Sequence, residues 1–380
     1  MTDEAAAPGA RDLVELADFA AAARQLLPQP IWDFLDGGSG TESMVDANRA
    51  VLDRMWLRPQ VLTGTSEVDL ATTLLGAALS APLGVAPVSH QRLYHPEGEV
   101  AAARAAGEAG MLFVTSIFAS RPIEDIAAAS KGPVWQQLYW LRDRTEFERF
   151  IARSEDAGVS ALVLTVDAPV VARRPRDIRN AFVLPSDVSA VNLDAAVMQA
   201  THESQAGTSA IARHAAQQFQ PGLGWSDLAW LRQRTQLPVL LKGVLSARDA
   251  FLAQECGVDG VIVSNHGGRQ LDGSVPAVYA LPEIADAVGN RCAVLVDGAF
   301  RRGHDVLKAL MLGAHAVLLG RPAMWGLTCA GADGVAAVLD LVRAELAEAM
   351  LLSGLPNIAY AAAAEFVSDQ MPTWAGSAHE

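Results

Sequence analysis

The sequence predicts an α/β fold: a (β/α)8 TIM barrel with an N-terminal helical extension and a long loop after strand four. Three observations carry this. Eight short apolar runs recur along the chain, rich in Val, Leu and Ile, as strands covered on both faces should be. Amphipathic stretches lie between most of them. Several of those stretches are followed by glycine, a frequent helix terminator.

The runs are Leu83–Ala86, Met111–Thr115, Val134–Leu138, Ala161–Val166, Pro238–Lys242, Gly260–Ser264, Ala293–Asp297 and Ala316–Gly320. Helical stretches include Glu97–Ala109, Thr145–Ala157, Ala247–Cys256 and Arg302–Leu312, followed by Gly110, Gly158, Gly257 and Gly313. Residues 1–80 precede the first strand and read as a helical extension. Residues 81–355 form the barrel, and 356–380 a C-terminal tail. The stretch from about 168 to 225 is long for a loop, and such loops are usually lids or disordered segments. It opens on the charged run Arg173-Arg-Pro-Arg-Asp-Ile-Arg179 and later becomes rich in Ala, Ser and Gln.

Composition excludes several classes. The net charge of −14 argues against nucleic acid, which needs a basic face. No apolar run is long enough to span a membrane, and the N-terminus does not read as a signal peptide. Cys256, Cys292 and Cys329 fit no metal spacing, so no metal is expected. They read as free thiols in a reducing cytosol, which places the protein in the cytoplasm. An acidic protein that binds small anions must gather its cations locally.

Barrel chemistry sits at the C-terminal ends of strands. Here those ends are polar from strand two onward: Ser116; Gln137 and Tyr139; Thr165 and Asp167; Lys242; Ser264, Asn265 and His266; Asp297 and Arg301; Gly320 and Arg321. Any one of them is as well explained as a capping or solvated residue. Together they exceed what a structural barrel needs. Asp297-Gly-Ala-Phe-Arg-Arg-Gly303 and Gly320-Arg-Pro322 follow strands seven and eight, the usual phosphate position. Lys242 closes an apolar strand and needs an anion there: a phosphate-bearing cofactor, or an ion pair with Asp167 or Asp297. His266 is the candidate base, with Asp167 to orient it. Arg174 and Arg269 suit a substrate carboxylate, which arginine grips with two prongs. His95, His304 and His315 read as structural, and His90 stays open.

Ser264-Asn-His-Gly-Gly-Arg-Gln-Leu-Asp272 resembles the signature of the FMN-dependent 2-hydroxy acid oxidases and dehydrogenases. Similar blocks are His95-Pro-Glu-Gly-Glu99, Gln137-Leu-Tyr139, Leu164-Thr-Val-Asp167, Leu241-Lys-Gly243, Asp297–Asp305 and Gly320-Arg-Pro322, in family order from about 27 to 355. The resemblance implies FMN as cofactor. Pro87, Val88 and Ser89 would line the flavin with backbone. Ser116, Gln137, Thr165, Lys242 and Ser264 would hydrogen-bond it. Asp297, Gly298, Ala299, Phe300 and Arg301, with Gly320 and Arg321, would take the ribityl chain and phosphate. His266 would be the base, assisted by Asp167. Tyr139 would contact the substrate's oxygen, and Arg174 and Arg269 its carboxylate. The partners implied are a small 2-hydroxy acid and O2, in a homotetramer.

Some positions depart from the family pattern. Phe34 stands where a carboxylate-binding tyrosine is common, and Phe118 where glycolate oxidases often carry Trp. Ser89 replaces Ala or Gly beside the flavin. The first two enlarge the apolar share of the pocket. The Phe-Leu-Asp-Gly-Gly-Ser-Gly-Thr-Glu stretch, with Ala86-Pro-Val-Ser-His-Gln-Arg-Leu-Tyr-His-Pro-Glu-Gly-Glu99, resembles the actinobacterial branch that oxidises 4-hydroxymandelate in glycopeptide antibiotic pathways. The expected reaction is therefore oxidation of 4-hydroxymandelate or mandelate to the aryl glyoxylate, with O2 reduced to H2O2. The alternatives are a quinone-linked dehydrogenase, an oxidase of lactate or glycolate, an isopentenyl diphosphate isomerase-like FMN barrel, and a flavin-binding barrel without turnover.

Overall fold

The computed structural model describes residues 13–193, 218–363 and 365–368. The N-terminal segment read for a signal peptide, the Ala/Ser/Gln-rich part of the long loop and the end of the tail lie outside the described residues.

The eight barrel strands are β1 (Leu83–Val85), β2 (Leu112–Thr115), β3 (Val134–Leu138), β4 (Ala161–Thr165), β5 (Val239–Val244), β6 (Gly260–Val263), β7 (Ala293–Val296) and β8 (Ala316–Leu319). Each pairs in parallel with the next, and β8 pairs with β1 to close the barrel. The expected strands and the (β/α)8 class are thus found, with ends shifted by a residue or two; β5 runs on to Val244.

Alternating side chains explain why the runs are apolar throughout. Leu112, Val114, Trp135, Val163, Leu240, Ile262, Leu295 and Leu318 form an inner core. Their neighbours Phe113, Leu162, Leu164, Leu241, Val261, Val263, Val296 and Leu319 join a second core with the surrounding helices. A strand with both faces covered has no solvent-facing position for a polar residue. Each fully buried Leu or Val stabilises the barrel by roughly 1.5–3 kcal/mol.

The extension is helical at first: α1 (Leu16–Leu26), α2 (Gln29–Asp36) and α3 (Ser43–Asp53). Glu15 and Asp18 form a capping box at the start of α1. Beyond α3 the chain turns to strand. Met55–Arg58 pairs antiparallel with Glu365–Ser368, and Thr72–Leu74 pairs with Ala77–Leu79. This last hairpin sends Leu74 and Leu79 into the inner core and closes the barrel opposite its mouth.

The outer helices are α4 (Glu99–Glu108), α5 (Ile123–Ala129), α6 (Arg144–Asp156), α7 (Pro175–Arg179), α8 (Asp227–Arg232), α9 (Ala247–Glu255), α10 (Ala277–Val288), α11 (Gly303–Met311) and α12 (Arg321–Leu352). Gly110, Gly158, Gly257 and Gly313 all take left-handed φ, between 67° and 94°, as helix-ending glycines do. Among the described residues, no helix is long and apolar enough to cross a membrane.

Candidate active site

A cleft with about 1320 Å³ of empty space opens where the strands end. That space includes the open mouth of the barrel. The predicted residues converge on it from every strand. Pro87, Val88 and Ser89 come from β1, Ser116 and Phe118 from β2, Gln137 and Tyr139 from β3, Thr165 from β4 and Lys242 from β5. His266 and Arg269 follow β6, Asp297 to Arg301 follow β7, and Gly320 and Arg321 follow β8. Phe34 and Arg174 complete the wall from α2 and from the loop before α7. Asp167 and Ser264 do not line the cleft; they stand behind residues that do.

Asp167 holds the base. Its Oδ1 and Oδ2 lie 3.0 and 3.2 Å from Nδ1 of His266, which leaves Nε2 toward the cleft. Burial pushes the Asp167 carboxyl up, but the facing His266 and Lys242 more than offset it and hold it below the ordinary range. It therefore stays ionised and can stabilise an imidazolium. The Ser264 hydroxyl, one of the groups expected to bond the flavin, accepts from Lys242 Nζ at 2.7 Å and from the His266 N–H at 3.0 Å, and so positions two site residues.

Lys242 also pairs with Asp297 Oδ2 at 2.8 Å, one of the two ion pairs considered for it. The other carboxylate oxygen, Asp297 Oδ1, is buried with no hydrogen-bond partner among the described residues. A buried acceptor left open calls for a donor from a ligand. Beside it, Gly298 and Ala299 both take left-handed φ, 111° and 63°, and bend the backbone around the cleft. Arg301 and Arg321 follow. Burial pulls Arg301 down to about 10 and Arg321 down to about 9. A guanidinium stays charged at such values; the shifts measure how poorly that charge is compensated. Arg321 is held by carbonyls of Leu35, Gly37 and Gly267 at 3.0–3.2 Å. Among the described residues, no carboxylate pairs with either arginine. A buried, carbonyl-held cation of this kind is a site for an anion.

Arg174 and Arg269 repeat the pattern. Burial, and then the like charge of Arg269, lowers Arg174 to about 9, against a weak pull from Asp177 at 4.0 Å. Arg174 Nε is buried without a partner among the described residues. Arg269 donates to the carbonyls of Leu35 and Gly37 and lies 5.4 Å over the Phe34 ring. Burial raises the hydroxyls of Tyr139 and Tyr94 above the usual phenol range, so both remain donors.

Aromatic rings make up the rest of the wall. Phe34 stacks on Phe182 at 4.6 Å. Tyr139 stacks on Phe219 at 4.5 Å, and Phe118 lies within 6 Å of both. Phe219 and Tyr94 were not singled out in the sequence, because neither belongs to a strand end. Phe219 stands alone among glutamines late in the strand-four loop, so nothing in its local sequence marks it. His90, left open, lines the cleft with its ring stacked on Phe118. His315 Nδ1 accepts the Val294 N–H at 3.0 Å and is structural, as expected.

An oriented histidine, a cluster of undercompensated arginines and an open carboxylate acceptor now share one barrel mouth. The family model for FMN-dependent dehydrogenases matches residues 23–367. The chain belongs to that family. It is 48% identical to 4-hydroxymandelate oxidase of Amycolatopsis orientalis, over 91% of this chain and 96% of that protein. It is 43% identical to L-lactate oxidase of a Nostoc species, over 91% and 95%. A crystal structure of mandelate oxidase with (S)-4-hydroxymandelic acid superposes with a TM-score of 0.91 at 47% identity, covering 94% of this chain and 99% of that one. This family member is an FMN-dependent 2-hydroxy acid oxidase in type, and FMN is its cofactor. The residues present fit FMN, whose hydroxyls and phosphate need an acceptor and cations: Asp297 Oδ1 is a buried acceptor without a partner among the described residues, and Arg301 and Arg321 are buried guanidiniums.

Proposed function

We propose that this oxidase converts an aryl (S)-2-hydroxy acid, 4-hydroxymandelate or mandelate, to the aryl glyoxylate. The substrate loses two electrons and two protons, and O2 takes them to become H2O2. The observation that carries the aryl assignment is the ring cluster Phe118, Tyr139 and Phe219 in the same cleft as Arg174 and Arg269. Rings flank an aryl side chain well, and they present nothing to the hydroxyl-rich or very small alternatives. The 4-hydroxymandelate oxidase relative supports the same reading.

In this reading Arg174 and Arg269 hold the carboxylate, and Tyr139 donates to the oxygen at C2. His266 Nε2 removes a proton from the substrate, and Asp167 stabilises the resulting imidazolium. Lys242, Gln137, Thr165 and Ser116 would hold the flavin ring, while Asp297 to Arg301 and Gly320 to Arg321 would hold its ribityl phosphate. FMN supplies the two-electron acceptor. The protein supplies charge and orientation.

The test is a stopped-flow panel of 2-hydroxy acids, followed at the flavin band without oxygen. S-mandelate and 4-hydroxymandelate should bleach the protein fastest, and air should restore the colour with release of H2O2. Strong preference for glycolate or lactate overturns the aryl assignment. Slow recovery in air with fast recovery by a quinone makes the protein a dehydrogenase.

A further inference from the structure

The base and the anion loop each contain a non-glycine residue in left-handed backbone. His266 has φ 58°, and Ala299 has φ 63°. Such residues cost on the order of 1–3 kcal/mol and persist only where their surroundings hold them. In both cases part of the hold comes from α3, outside the barrel.

Asn48 and Asn265 face each other with amides paired twice. Each Nδ2 donates to the other Oδ1 at 2.9 Å, across 217 residues of sequence. Both side chains are buried. Asn265 Oδ1 also accepts the Gly268 N–H at 3.2 Å, and its Nδ2 reaches the Val275 carbonyl at 3.3 Å. Asn265 thus closes the turn that carries His266, and Asn48 fixes Asn265.

The next residue of α3 serves the other loop. Arg49 grips the fully buried Asp305 with two prongs, at 2.6 and 2.9 Å, and donates to the Ala299 carbonyl at 3.0 Å. Asp305 Oδ2 in turn accepts the N–H groups of Arg301 and Arg302 at 3.0 and 3.1 Å. Burial opposes the charged Asp305, but Arg49 overrides it and holds the carboxyl below its ordinary range.

We propose that Asn48 and Arg49 are positioning residues: Asn48 sets His266 for proton removal, and Arg49 shapes the loop that takes the FMN phosphate. The first half rests on the reading of His266 as base; the second rests on the FMN site alone. Neither side chain lines the cleft. One helix of the extension therefore holds the two halves of the site in register.

The test exchanges Asn48→Leu and Arg49→Gln in the full chain and measures two quantities for each. One is the FMN Kd, by titrating apoprotein with FMN. The other is the limiting rate of anaerobic bleaching at saturating S-mandelate, with its half-saturation concentration. Asn48→Leu should slow bleaching up to roughly a hundredfold, as misplacement of a reacting group by about 1 Å can. Its half-saturation and FMN Kd should stay within about threefold, or within about 0.7 kcal/mol. Arg49→Gln should raise the FMN Kd roughly tenfold to a hundredfold, as loss of charged hydrogen bonds does, and should leave bleaching of the saturated enzyme nearly unchanged. Asn48→Asp retains one bond of the amide pair and should fall between wild type and Asn48→Leu. Crossed effects, or a fall in melting temperature with both quantities intact, overturn the proposal. So does failure of both Asn48 variants to fold, which would make the amide pair a global rather than a local support. If wild type bleaches with no 2-hydroxy acid, the base assignment falls, while the FMN titration still decides the Arg49 half.

Discussion

Two groups of cations face one cleft, and they carry their charge differently. Lys242 is matched: Asp297 sits 2.8 Å away, and the Ser264 hydroxyl accepts a further hydrogen bond from its ammonium. Arg269, Arg301 and Arg321 are held by carbonyl oxygens, Arg174 has only Asp177 at 4.0 Å, and burial leaves Arg174, Arg301 and Arg321 well below their ordinary range. A matched lysine costs little to bury. A guanidinium desolvated against carbonyls alone is unfavourable until an anion arrives. The difference sorts the cleft into a group that tunes chemistry and a group that binds ligands. His266 stands between them.

Substitutions can break that contrast at several strengths. The largest effect belongs to His266→Asn, which should keep FMN bound and slow anaerobic bleaching by roughly 10²–10⁴-fold. An active variant would remove His266 as base. Arg269→Ala should weaken capture of the substrate carboxylate by about 2–5 kcal/mol, read as a fall in kcat/KM. Arg269→Lys should recover little of it, because a point charge cannot replace the fork. Arg321→Leu should act on the cofactor instead, raising the FMN Kd by the equivalent of about 1.5–3 kcal/mol. If Arg321→Leu alters substrate affinity but not FMN affinity, the division between the two arginine pairs is wrong.

Smaller effects sharpen the picture. Phe219→Ala should lower the preference for mandelate over lactate by about 0.5–1.5 kcal/mol, the worth of an aromatic pair beyond area. An unchanged ratio would place the aryl group elsewhere. The smallest concerns Asp272, which accepts from the Thr41 hydroxyl and backbone and from the Ser43 hydroxyl, and so clasps the signature loop to the extension. Those bonds lower its carboxyl from 3.8 to about 2. The folded value is the lower one, so the stabilisation is complete above the free value and is lost as pH falls toward the folded one. The gap in melting temperature between wild type and Asp272→Asn should therefore close between pH 3.8 and about 2. A gap that persists at the lower limit would mean that the bonds do not depend on charge.

Much of the site was legible because barrel geometry puts strand ends in one place. Once eight apolar runs are seen, Gln137, Thr165, Lys242, His266 and Asp297 fall at the mouth without further information. Ser264 shows the limit of that rule. It ends a strand, yet its hydroxyl points at Lys242 and His266, and strand position does not say which neighbour a short side chain will choose. The supports were less legible still. Gln270 donates to the carbonyls of Asp167 and Val170 and accepts the Ala172 N–H at 3.1 Å, tying the strand-four loop to the signature. Ser39 donates to the carbonyls of Gly268 and Gln270. Gln270 lies inside the signature, but its own sequence shows no partner.

The sequence by itself determined the barrel, the strand ends that face the cleft and the chemistry of the groups placed there. These follow from local patterns: apolar runs with two covered faces, helix-ending glycines, and a motif whose residue types suit a proton and two anions. Only the tertiary structure decided how those groups are held. The extension returns α2 and α3 to the mouth, where Leu35 and Gly37 carbonyls meet two arginines and Asn48 and Arg49 meet loops more than 200 residues away. The physical reason is the range of the interactions. Periodicity reports which face is buried, but a buried amide or carboxylate must find its partner in three dimensions, and that partner is chosen by packing.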